Sequence, residues 1–139
     1  MTITLLDDRA LSEVLQGKRS VEGDVFTTGL WYVRLCQAVV GGNRLSTGSL
    51  SGPIAALPKP AQRAAVEALI ALPQSIGMLS LRDLTPTIAR LRDRHQLNLL
   101  SIEALAAAQA LNAQVLLTTK SPRLEHALEV EGLTLLGNT

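Results

Sequence analysis

The last forty residues constrain the fold of this 139-residue chain most. Residues 101–112 form an Ala-rich stretch opened by Ser101, which reads as a capped helix. Residues 115–118 are a short apolar run of the kind found in buried parallel strands. Ser121-Pro122 then opens a second helix that stops near Gly132, and residues 133–136 supply a last strand. Helix, strand, helix, strand in close succession predicts a parallel sheet covered on both faces, because parallel strands need crossover helices.

The rest of the chain fits that frame. Residues 3–6 are β-compatible and run into Asp7-Asp8, which suit a helix start; Leu11, Val14 and Leu15 then fall at helical spacing before Gly17. Residues 24–27 read as a second strand. From Thr28 a helix follows with its apolar stripe through Leu30, Val33 and Val40, ended by Gly41-Gly42. Residues 42–60, rich in Gly, Ser and Pro, read as a loop holding one turn of helix at most. A helix over 61–72 stops at Pro73. Residues 79–84 give no clear signal, and Pro86 is placed in the first turn of a helix running to about His95. No repeat or boundary divides the chain, so residues 1–139 are expected to form one domain, with a sheet of about four or five strands.

Composition limits the function. Hydrophobic residues make up 47% of the chain and aromatic ones 2%, enough apolar content for a core of Leu, Ala and Val. A net charge of +1 is too balanced to argue for nucleic acid from overall charge alone, leaving only local charge placement. Cys36 is the single cysteine, so no intrachain disulfide can form and a reduced, cytoplasmic setting is expected. Asp7 and Asp8 interrupt any apolar leader, and no apolar run reaches the roughly 20 residues of a membrane span. No P-loop, dinucleotide fingerprint, zinc spacing or nucleophile elbow is present.

In open α/β sheets, ligands sit beyond the carboxyl ends of the strands. Two such ends carry polar residues here: Leu5-Leu6 runs into Asp7-Asp8, and Leu116-Leu117 into Thr118-Thr119-Lys120. Glu103 lies near the start of the helix that feeds the second of these strands. Carboxylates gathered there would bind Mg²⁺ or Mn²⁺ through oxygen.

These residues carry a resemblance to the PIN nuclease family. LLDDRAL resembles the first PIN strand with its acid at Asp7. LLSIEALAAAQALNAQVLLTTKSPRLEHALEVEGLTLL resembles the C-terminal half, where a helix bearing an acid leads through a strand and a Thr-x-Asp turn to a last helix and strand. The match covers the end of the chain well, the beginning moderately and residues 42–85 poorly. The resemblance implies a three-layer α/β fold and the metal-dependent ribonuclease activity of VapC-type toxins in toxin–antitoxin modules. It also implies Mg or Mn as cofactor, RNA and an antitoxin-like protein as partners, and a homodimer.

Asp7 matches the first acid and Glu103 the third, Glu standing for the usual Asp; both would be metal ligands and catalytic residues. No Asp or Glu lies between Asp24 and Glu67, so the second acid is missing, and Arg34 stands near its place. Lys120 occupies the position of the fourth acid, and Arg9 replaces a small polar residue. Two carboxylates facing a lysine are near neutrality, and a cation beside an ammonium costs roughly 1 kcal/mol or more per unit charge. The expectation is therefore a degenerate site in which the Lys120 ammonium pairs with Asp7 and Glu103.

Each residue also has a plainer reading. Asp7 and Asp8 suit a helix cap, Glu103 complements the dipole of its own helix, and Lys120 suits a solvated loop. Trp31 and Tyr32 suit packing better than base stacking. Arg82, Arg90, Arg92 and Arg94 read as a solvated helix face, His95 and His126 as isolated surface residues, and Cys36 as buried and inert. Three functions remain open: a ribonuclease using Asp7 and Glu103 with water as nucleophile; a silent PIN-fold protein binding a partner protein or RNA; or an unrelated α/β binding domain.

Overall fold

A computed structural model describes residues 2–40, 50 and 52–137. Among them a five-stranded, all-parallel sheet is flanked by seven helices, consistent with a three-layer PIN-like arrangement. The elements run β1 (Ile3–Leu6), α1 (Asp8–Leu15), β2 (Asp24–Thr27), α2 (Gly29–Val40), α3 (Gly52–Ala55), α4 (Lys59–Ile70), β3 (Ile76–Met78), α5 (Leu81–Arg92), α6 (Leu99–Leu111), β4 (Gln114–Leu116), α7 (Pro122–Val130) and β5 (Leu135–Leu136).

The strands lie in the order β3-β2-β1-β4-β5, with Leu6 beside Thr27 on one side and Leu116 on the other. The chain thus winds outward from β1 in one direction and from β4 in the other. The carboxyl ends of β1 and β4 form the switch point, where an open α/β sheet leaves a crevice.

Period-two alternation divides the core between the two faces. Leu5, Val115 and Leu117 pack with α5, α6 and α7; Leu6 and Leu116 pack with α1, α2, α3 and α4. Helix α6 is buried along residues 102–108, as expected of a helix apolar all round. Its alanines let α5 and α7 approach closely. Burying each of the fully enclosed leucines, such as Leu5, Leu11, Leu35 and Leu105, contributes about 2 kcal/mol.

Several expectations need correction. The buried stripe of α2 is Trp31, Leu35 and Val39, whereas Val33 and Val40 are exposed. The stripe through Leu30, Val33 and Val40 had the right period and the wrong phase, because the face toward the sheet is set by tertiary packing. Helix α5 starts at Leu81 under a Ser80 cap, so Pro86 lies inside it rather than in its first turn. Helix α6 is capped by Asn98, whose side chain accepts the Ser101 N–H, not by Ser101. Strand β3 had no sequence signal; it is three residues long and contains Gly77. The helix stop at Gly41-Gly42 and most of the 42–60 loop lie outside the described residues, and α3 is the helical turn of that stretch. Among the described residues no helix is long and apolar enough to cross a membrane.

Candidate functional site

Asp7 follows the last residue of β1, and its backbone N–H donates to the Leu116 carbonyl at 3.2 Å. That bond fixes it at the switch point, where its extended backbone makes it the N-cap of α1. Oδ1 accepts the Ala10 N–H at 2.8 Å and Oδ2 accepts the Thr118 N–H at 2.8 Å. The Thr118 hydroxyl lies 2.9 and 3.0 Å from the two oxygens. Asp7 is 3% exposed, and both of its carboxylate oxygens are engaged by the protein itself.

Asp8 is also buried. Oδ1 accepts the Arg9 N–H at 2.8 Å, and Oδ2 faces Arg34 Nε at 3.4 Å. Burial pushes the Asp8 carboxyl above its ordinary value, and the neighbouring Asp7 adds to the rise; Arg34 and the backbone N–H donors oppose it. Arg34 therefore does sit at the site, with its charge set against an acid.

Glu103 is fully buried. Its Oε1 accepts the Leu30 N–H at 2.9 Å, and Thr28 Oγ1 accepts the Trp31 N–H at 3.1 Å, so two side chains cap the start of α2. The Glu103 carboxylate thus complements a helix dipole, but that of α2 rather than of its own helix. Oε2 has no hydrogen-bond partner and lies 3.3 Å from where a Cβ on residue 29 would stand, so Gly29 makes room for it.

Beyond the ends of β1 and β4 opens a cleft of about 290 Å³, lined by Asp7, Asp8, Arg9, Trp31, Arg34 and Lys120 among others. Glu103 does not line it. The expected pairing of Lys120 with Asp7 and Glu103 is absent: Lys120 is exposed and makes no ion pair among the described residues. The reason is local. Thr118, two residues earlier, already occupies Asp7, while Glu103 is held under α2. The described residues contain no group of three or more His, Cys, Asp or Glu side chains placed to hold a metal ion. The donor set does not fit the Mg²⁺ or Mn²⁺ that the resemblance implies, because a hard cation needs several free oxygens.

Trp31 is 4% exposed and packs in the core, while also lining the cleft. The Tyr32 hydroxyl donates to the Leu69 carbonyl at 2.6 Å, tying α2 to α4. Arg82, Arg90, Arg92, Arg94 and His126 are exposed as expected, and Cys36 is half-buried. His95 is corrected: it is buried, with Nε2 2.7 Å from Glu131 Oε2. Glu131 also accepts from Arg94 at 3.1 Å and Gln109 at 3.0 Å, so the four residues join the ends of α5, α6 and α7. Sequence spacing gave no hint of this, since His95 and Glu131 lie 36 positions apart. No protein-family model matches the chain, and no curated protein matches it.

Proposed function

We propose that this chain is a PIN-like scaffold in which metal-dependent ribonuclease chemistry is weak or lost, and which works by binding rather than cleavage. The observation that carries this reading is the state of Asp7. Its two oxygens accept three donors from Ala10 and Thr118, and a metal would have to displace them. Glu103 supports the reading, since its one engaged oxygen caps α2 away from the cleft. The partners that go with it are RNA or an antitoxin-like protein, with a homodimer as the working unit and the cytoplasm as the setting.

The test is cleavage of a mixed-sequence RNA with Mg²⁺ or Mn²⁺, beside calorimetric titration with Mn²⁺. The native chain is expected to cleave no faster than the buffer blank and to take up no Mn²⁺ tightly. Cleavage that disappears in a folded Asp7→Ala variant would reject the reading.

A further inference from the structure

The polar groups of the cleft are unevenly engaged. Its acceptors are occupied: Asp7 holds Ala10 and Thr118, and Asp8 holds the Arg9 N–H and faces Arg34. Its donors are not. Among the described residues, the Arg9 guanidinium and the Lys120 ammonium make no hydrogen bond or ion pair, and the Ser101 and Ser121 hydroxyls also have no partner. Arg34 uses only Nε, and its side chain is 60% exposed. A cleft with engaged acceptors and free donors is built to receive an acceptor.

The backbone donors that these elements bring to the cleft are already engaged: the Arg9 and Ala10 N–H groups by Asp8 and Asp7, that of Ser101 by Asn98 and that of Ser121 by Glu125, so the side chains are what remain to meet a ligand. Three cations face two carboxylates. A dianionic phosphate monoester gains more from this field than the monoanionic diester of an RNA chain. The volume of about 290 Å³ is at the lower end of small-ligand sites.

The geometry points to this cleft as a receptor for the phosphate of a small phosphomonoester, bound by Arg9, Arg34 and Lys120 with the Ser101 and Ser121 hydroxyls donating to its oxygens. This rests on the reading that the carboxylates do not serve a metal, and it goes beyond that reading by giving the cleft a small-molecule ligand distinct from the RNA or protein partner. Charge-assisted bonds to phosphate would hold the group in the cleft that Trp31 also lines.

Trp31 is the only tryptophan, so its fluorescence reports on the cleft. The full chain is titrated with inorganic phosphate, adenosine 5′-monophosphate and an unphosphorylated dinucleoside monophosphate at matched ionic strength, and separately with Mn²⁺ by calorimetry. The expected result is a saturable change with phosphate and the mononucleotide. Arg9→Ala and Lys120→Ala, both exposed positions, should each weaken it about tenfold with unchanged melting curves. No response to phosphate or mononucleotide overturns the inference, as does binding that both variants leave intact or equal affinity for the diester. If Mn²⁺ is also silent, only the inference falls; tight Mn²⁺ binding removes the reading beneath it as well.

Discussion

Replacing Asp7 by asparagine separates a structural carboxylate from a metal ligand by the sign of the stability change. Each Asp7 oxygen accepts a main-chain N–H, one from Ala10 and one from Thr118. An amide has a single oxygen, so in either orientation its NH₂ group faces an N–H donor. One bond to a charged group is lost, worth about 1.5–3 kcal/mol, and a buried N–H is left without a partner. The surviving bond weakens from charged to neutral. The total is about 3 kcal/mol, a large share of the roughly 5–15 kcal/mol that holds a domain together. For a domain of this size that lowers Tm by about 10 °C. A carboxylate kept beside Asp8 for a cation would behave oppositely: removing it would relieve the pressure that Asp7 puts on Asp8 and would stabilise the metal-free chain. Urea denaturation and calorimetry at neutral pH in chelator decide the matter. An Asp7→Asn variant as stable as the native chain, or more so, would refute the structural reading.

Gly77→Ala would set a Cβ 2.4 Å from Phe26 Cε2, so the ring must leave its place over β3; a loss of about 1–3 kcal/mol is expected by denaturant melting. Asp8→Asn should raise stability at neutral pH, because burial and then Asp7 hold the Asp8 carboxyl above its ordinary value; the gain should fade as pH falls and the native Asp8 takes its proton. Glu131→Gln tests the opposite sign. The hydrogen bond from His95 holds the Glu131 carboxyl below its ordinary value, with Arg94 and Gln109 helping and burial opposing. Its contribution is therefore present above the ordinary glutamate range and lost as pH falls through the depressed value. The gap between native and variant midpoints should narrow as pH falls through the ordinary glutamate range and below it.

Much of the fold was legible because its signals are local. Residues 3–6 and 24–27 form strands with the bounds expected, and Asp7 caps α1 as its position before a periodic stretch suggests. Signals that depend on distant partners failed. The phase of α2, the glycine-bearing β3 and the burial of His95 are set by surfaces far away in sequence. The site was legible to the level of strand ends. Asp7, Arg34 and Lys120 do meet at one cleft, but what occupies Asp7 was not visible. Thr118 looks like an ordinary turn residue until β1 and β4 are seen side by side. Glu103 stood at the start of one helix, and nothing in its neighbours shows that it serves another.

The pairing of β1 with β4 also orders events in time. Asp7 and Thr118 are 111 positions apart, so a chain emerging from the ribosome makes β1 long before its second neighbour exists. Until then β1 has a bare edge, the Asp7 Oδ2 lacks its Thr118 donors, and the cleft has only one wall. Fragments ending before residue 114 keep that open edge and offer it to other strands, so premature termination would yield aggregation-prone products rather than smaller working ones.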